Sequence, residues 1–167
     1  MYVDYLDSPL GLVEIEASDQ GITRVDFVDT ITHEINVNTH TSAAKQQLSD
    51  YFAGDLETFD LSLTPKGTDF QQSVWQQLLK IPYGQSKSYQ DIADALDNPK
   101  AVRAVGAANG RNPIGIIVPC HRVIGSNRTL TGYAGGLERK AWLLEHEGQS
   151  FRAETNEMNS SQLTFNL

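Results

Sequence analysis

The sequence predicts an α+β protein in two units: a small, strand-rich α/β unit at the amino end, then a mainly helical one, then a polar tail. Three observations carry this. Ahead of the tail, strand-like two-residue apolar alternation falls in residues 1 to about 63, and helical spacing of apolar residues dominates from 64 to 148. Charge divides at the same place: residues 66 to 148 sum to +3 and the rest to −11, within a total of −8 over 167 residues. Residues 149–167 form the tail.

In the first unit, Leu12–Ala17 and Ile22–Val28 alternate on either side of the turn signal Asp19-Gln20-Gly21, which reads as a hairpin. Ala44, Leu48, Tyr51 and Phe52 then recur at helical spacing from Thr41, ending at Gly54. Neither His33 nor His40 has metal or catalytic spacing, and both read as surface residues. The loop Leu63–Thr68 is the boundary, because charge and periodicity both change across it.

In the second unit, Phe70, Val74 and Leu78 share a helical face closed by Ile81-Pro82-Tyr83-Gly84. Ser88 caps a short helix carrying Tyr89, Ile92, Ala93 and Leu96. Asp97-Asn98-Pro99 then turns into a second helix, Lys100 to about Asn109, which makes a helix-turn-helix pattern. After Lys100 that helix has one long side chain, Arg103, among Ala101, Val102, Ala104, Val105, Gly106, Ala107 and Ala108. Small residues allow close approach, either to the domain's own interior or to a groove. Polar side chains for reading base edges are missing, so a sequence-specific repressor is disfavoured and shape-tolerant or minor-groove contact is preferred. Leu137–His146 is an amphipathic helix anchored by Ala141, Trp142 and Leu144, ended by Glu147-Gly148. In the tail, Leu163–Leu167 alternates as an added edge strand would, packing on the protein or on a neighbouring molecule.

With 40% hydrophobic residues the chain can bury a real core. No long apolar run and no basic-then-apolar leader is present, so a soluble, cytoplasmic protein without membrane contact is expected. Overall acidity argues against a nucleic-acid partner, but the +3 segment lets an anionic partner meet the second unit. The single cysteine, Cys120, excludes an intramolecular disulfide and a multi-cysteine zinc site. Two roles remain: core filler or nucleophile. The apolar run Ile114–Val118 reads as a buried strand that Pro119 brings out of its sheet. His121 and Arg122 then place two potential cations beside the sulfur, an environment that lowers a thiol pKa from about 8.5. Gly132-Tyr133-Ala134-Gly135-Gly136 reads as a loop whose backbone approaches something closely, without the ending of a phosphate loop.

Taken together, several blocks are similar to one family: Tyr89-Gln90, Lys100–Gly106, Asn112-Pro113, Pro119–Ile124, Gly132–Leu137 and His146–Gly148. In order and at family spacing, these resemble the DNA alkyltransferases that repair alkylated guanine, the methylated-DNA-protein-cysteine methyltransferases. The resemblance covers residues 66 to 148 and is looser before them. It implies a winged-helix-like DNA-binding domain and irreversible, stoichiometric transfer of an alkyl group from the six-oxygen of guanine to Cys120, with the four-oxygen of thymine as a second candidate. By the same resemblance, His121 is the base that acts on Cys120 through a water, Glu147 orients the imidazole, and Asn112 holds the active-site turn. Tyr89 and Arg103 would evict the damaged base, with Ala101 and Arg122 at the DNA. Tyr133, Ala134 and Val123 would form the substrate pocket. Neither a cofactor nor a metal is implied, and the partner is double-stranded DNA carrying alkylated guanine, met by a monomer. Many members carry serine where this chain has Ala134, so a hydroxyl contact is lost there while the backbone amide is kept.

The chemistry requires such residue types. Methyl bound to oxygen is a poor electrophile, so the attack needs a thiolate and a proton donor near the departing base. Adjacent Cys120 and His121 point in different directions, which favours a water relay over direct contact. A sulfur cannot reach its target inside a duplex, so the nucleotide must be flipped out at a cost of a few kcal/mol. Two other readings stay open at this point. A non-catalytic binding protein for alkylated DNA would use the same groove without needing Cys120, and a cysteine hydrolase would need an oxyanion hole and a histidine touching the sulfur.

Overall fold

The computed structural model of the protein describes residues 1–152. The alternation expected at Leu163–Leu167 lies outside the described residues. Two compact units are present: Met1–Gly67 with Pro113–Ile117, and Thr68–Asn112 with the chain from Val118 onward. Among the described residues no helix is long and apolar enough to cross a membrane.

The first unit is an antiparallel sheet in the order β1 (Tyr2–Ser8), β2 (Gly11–Ala17), β3 (Ile22–Val28), packed by α1 (Thr39–Phe52). The expected hairpin is β2–β3, with Ala17 paired to Ile22 and an irregularity at Glu16/Ala17. The strand β1 was not expected, because Asp4 interrupts its apolar pattern. Asp4 is buried, and its Oδ1 accepts from the Tyr5 amide at 2.8 Å with Lys45 Nζ 3.6 Å away, so a carboxylate is tolerated inside the layer. The helix begins two residues before Thr41, where Asn38 and Thr41 satisfy each other's backbone amides in a capping box. Gly54 follows it with φ +85°, a conformation that favours glycine. Ala44, Leu48 and Tyr51 are fully buried on the sheet side of α1.

The unit differs from a boundary at residue 63 in two ways. Ile22 exchanges backbone bonds with Ser62 and Thr64, which carries the unit on to Gly67. Val25 accepts from Gly115 N and donates to Pro113 O, which draws Pro113–Ile117 into the same unit. The strand expected over Ile114–Val118 does not form. Ile114 makes one bridge to Val25, and the chain then turns, with Ile117 N donating to Gly115 O at 2.7 Å. Ile116 sits at φ +68°, a position of strain for a β-branched residue.

In the second unit, α2 (Asp69–Leu78) starts at a capping box between Thr68 and Gln71 and buries Val74, Trp75 and Leu78. The Trp75 indole donates to Ala108 O at 2.9 Å, tying α2 to the helix that follows. Ser88 caps α3 (Tyr89–Ala95), again with a reciprocal bond from Asp91. After a turn at Asp97, φ +58°, comes α4 (Val102–Gly110). Ala101 is the N-cap of α4 rather than part of its first turn, because its amide closes the turn on Asn98 O. The helices α3 and α4 form the expected helix-turn-helix. A short parallel ladder pairs β4 (Lys87–Ser88) with β5 (Val123–Ile124), and α5 (Leu137–His146) packs its Ala141 and Leu144 against Ile124 and Leu130.

Candidate active site

Cys120 opens a single 3₁₀ turn, Cys120–Arg122, between Pro119 and β5. Pro119 has no amide hydrogen to continue a ladder, and the turn is closed by Arg122 N on Pro119 O at 2.9 Å. Cys120 is 6% exposed and lines a pocket of about 330 Å³. Tyr89 from α3, Asn109 from α4, and Thr131, Tyr133 and Ala134 from the loop before α5 line the same pocket. Gly106, Gly110 and Gly132 bring backbone to its wall.

His121 is fully buried, with its ring turned to Glu147. Its Nε2 lies 2.8 Å from Glu147 Oε2, with both side chains at 0% exposure. Arg122 grips the same carboxylate, Nε to Oε1 at 2.8 Å and Nη2 to Oε2 at 3.0 Å, and donates Nη1 to Ile81 O at 2.7 Å. Tyr83 covers the guanidinium, its ring centre 5.8 Å from Arg122 Cζ. Burial alone would raise the Glu147 carboxyl, but the His121 hydrogen bond and Arg122 outweigh it and hold the group down at about 2. The carboxylate is therefore ionised, and Arg122 already balances its charge. His121 is lowered below its ordinary value, chiefly by burial and against the pull of Glu147. It stands as a neutral ring at pH 7. Since Nε2 faces an acceptor, Nε2 carries the proton and Nδ1 carries the lone pair. Nδ1 makes no hydrogen bond to the protein.

Burial pushes the Cys120 thiol up, opposed by an Asn112 side-chain hydrogen bond and by the charge of Lys140. This corrects the expectation that His121 and Arg122 lower the thiol pKa. Both are committed to Glu147, one neutral and one neutralised. Asn112 also donates to Val118 O at 2.9 Å, so one amide holds the turn on both sides of Pro119. Lys140 was not anticipated, although its spacing of three and four residues from Leu137, Leu143 and Leu144 places it on the apolar face of α5. It is fully buried, and its ammonium donates to Val123 O at 2.7 Å, Gly132 O at 3.3 Å and Thr131 Oγ1 at 3.4 Å. Asn109 and Thr131 were likewise not singled out; nothing in one sequence separates them from core and loop residues.

The remaining expected residues divide. Tyr89, Tyr133 and Ala134 line the pocket with Cys120. Arg103 is exposed on α4 beside exposed Ala104 and Ala107, away from the buried residues Val105, Ala108 and Asn109. Arg122 does not face outward as a DNA contact, since its side chain is 8% exposed and bound to Glu147. Val123 does not line the pocket; it is fully buried in β5, and its carbonyl serves Lys140.

Residues 1–65 match the family description "6-O-methylguanine DNA methyltransferase, ribonuclease-like domain", and residues 69–149 match "6-O-methylguanine DNA methyltransferase, DNA binding domain". A methylated-DNA–protein-cysteine methyltransferase of Methanosarcina barkeri is 46% identical over 158 residues, 91% of this chain and 100% of that protein. The constitutive methylated-DNA–protein-cysteine methyltransferase of Bacillus subtilis is 51% identical over 161 residues, 90% of this chain and 98% of its own. Among solved structures, the Mycobacterium tuberculosis OGT in complex with DNA superposes with a TM-score of 0.81 at 48% identity, covering 88% of this chain and 92% of that one.

The carboxylate cluster has a defined acid limb. Glu147 contributes stability that is present in full above its ordinary value of 4.5 and is lost as pH falls from there through about 2. Glu147→Gln should lower unfolding free energy at pH 7 by about 3 kcal/mol, because Arg122 is left buried without its counter-charge. Denaturant unfolding at a series of pH values should also show a flatter decline between 4.5 and 2 in the variant than in the wild type.

Proposed function

The chain belongs to the 6-O-methylguanine DNA methyltransferase family, whose reaction is DNA repair by alkyl transfer to cysteine, and from there we propose that Cys120 is the acceptor, consumed once by alkylated guanine flipped out of double-stranded DNA. The observation that carries this reading is the pairing of one pocket-lining thiol with a neighbouring neutral imidazole whose second nitrogen is clamped by Glu147. A merely packed cysteine requires no such neighbour.

The steps follow from the residues. A thiol held high by burial is unreactive until a base takes its proton. His121 Nδ1 is the available lone pair and takes the proton through a water, because Nε2 is bound to Glu147. Glu147 fixes the tautomer and stabilises the imidazolium that forms. The Cys120 sulfur then bonds to the alkyl carbon, the carbon–oxygen bond breaks, and its electron pair stays on the guanine. A proton donor at the departing base completes the transfer, and Tyr89 on the pocket wall suits that place. The resulting thioether is not hydrolysed by a nearby base, and no second cysteine is present to resolve it.

Arg103 suits the flipping step. It projects from a helix whose exposed neighbours, Ala104 and Ala107, allow close approach, so a guanidinium can occupy the gap left by the extruded base. Of the ten cations between 66 and 148, Arg122 and Lys140 are buried, which leaves a lightly charged surface for phosphates. A monomer suffices, since every residue assigned a step lies in one unit of one chain.

Incubation with duplex DNA carrying 6-O-methylguanine should add a single methylene to the peptide containing Cys120, with one lesion removed per protein molecule by intact-protein mass analysis. Several lesions repaired per molecule, or mass gained elsewhere, would count against the proposal. Cys120→Ala should transfer nothing and still bind DNA. Arg103→Ala should slow repair of duplex DNA by about tenfold or more while barely affecting transfer from the free methylated base, because only the duplex needs flipping. Equal slowing on both substrates would make Arg103 structural.

A further inference from the structure

Two aspartates sit within the outer strands of the first unit, Asp4 in β1 and Asp26 in β3, and no step of the reaction uses them. Aspartate is disfavoured inside strands, because its short side chain competes for backbone hydrogen bonds. Both compete here for their own strand. Asp4 Oδ1 accepts from the Tyr5 amide at 2.8 Å, and Asp26 Oδ1 accepts from the Phe27 amide at 2.8 Å.

These two amides occupy equivalent places. β2 lies between β1 and β3, so among the described residues each outer strand has one edge that no further strand covers. On the outer edge of β1, Val3 donates to Asn36 O at 2.8 Å and accepts from Asn36 N at 3.0 Å. On the outer edge of β3, Val25 donates to Pro113 O and accepts from Gly115 N, both at 2.9 Å. Backbone groups along a strand alternate in direction with a period of two, so Tyr5 and Phe27, each two residues further on, turn their amides to the same outer edges. Each is the next outward amide after that pairing.

An outward amide left open is a template for a strand of another molecule. In both outer strands an aspartate one residue ahead takes it. The central strand β2 has no open edge and carries Glu14 and Glu16 but no aspartate, and those two carboxylates turn to Arg24 instead. We propose that Asp4 and Asp26 are edge guards: each occupies the open amide beside it and so keeps the sheet from pairing with the sheet of a second copy of this chain. This gives the buried carboxylate of β1 a purpose. The guard works through an acceptor oxygen at the right reach, not through its charge.

Asp26 allows that distinction to be tested in the full chain, because its carboxylate is exposed and its other bond is an ion pair with Arg24 Nη2. Asp26→Asn and Asp26→Gln both lose the charge and the ion pair. They differ by one methylene, which carries the glutamine oxygen away from the Phe27 amide. Sedimentation velocity over rising protein concentration, with hydrogen exchange at the Phe27 amide in dilute protein, reads the outcome. Wild type and Asp26→Asn should sediment as monomers and exchange that amide at similar rates, whereas Asp26→Gln should exchange it about tenfold faster and self-associate as concentration rises. Asp26→Gln that stays monomeric, or Asn and Gln variants that associate alike, would overturn the proposal, and so would self-association of the wild type. Should Asp26→Gln not fold by circular dichroism, Asp26→Glu, with the same added methylene and the wild-type charge, takes its place against the wild type.

Discussion

Glu147 is a carboxylate with no exposed side-chain surface, and most of the site's geometry follows from how its charge is satisfied. A lone carboxylate in such a place is costly by several kcal/mol, so the fold must bring partners to it. They come from the 3₁₀ turn after Pro119: His121 supplies one donor, and Arg122 supplies two and reaches on to Ile81 O. Three segments distant in sequence, near residues 81, 121 and 147, are thereby fixed to one another. The thiol at Cys120 takes its position from the same turn.

The electrostatic result runs against simple expectation. Two basic residues following a cysteine suggest a permanently activated thiolate, yet here His121 is a neutral ring, Arg122 is spent on the carboxylate, and burial leaves Cys120 protonated at rest. A protein that is consumed by its reaction benefits from this arrangement. A resting thiolate would be exposed to oxidation and to adventitious electrophiles, whereas a protonated thiol becomes reactive only when loss of its proton is coupled to attack on a bound substrate. Lys140, buried on α5, is the cation that does act on the sulfur.

Much of the second unit was legible in the sequence because local rules decide it. Ser88 and Asp91 cap α3, helical spacing marks α2 and α5, and the exposed small residues of α4 single out Arg103. Cys120, His121 and Glu147 were assigned through family resemblance together with the demands of thiol chemistry. Other features depend on contacts between distant residues and carry weak local signals. Ile114–Val118 is apolar because it is buried, not because it is extended, and its pairing with Val25 turns an expected strand into a bridge and a strained bend at Ile116. β1 was hidden by Asp4, whose burial is tolerated only because Lys45 and the Tyr5 amide face it. Arg122 looked like a surface cation because neither Glu147 nor Ile81 is near it in sequence.

The central claim is that His121 is a neutral ring protonated on Nε2, leaving Nδ1 as the base for Cys120. Nitrogen-15 NMR of the imidazole in the intact, unreacted protein reads this directly, since the two ring nitrogens report separately which carries hydrogen. The account predicts the Nε2–H tautomer at pH 7, with protonation only at a midpoint below about 6.5. A doubly protonated imidazolium at pH 7, or a neutral ring carrying its hydrogen on Nδ1, would contradict it.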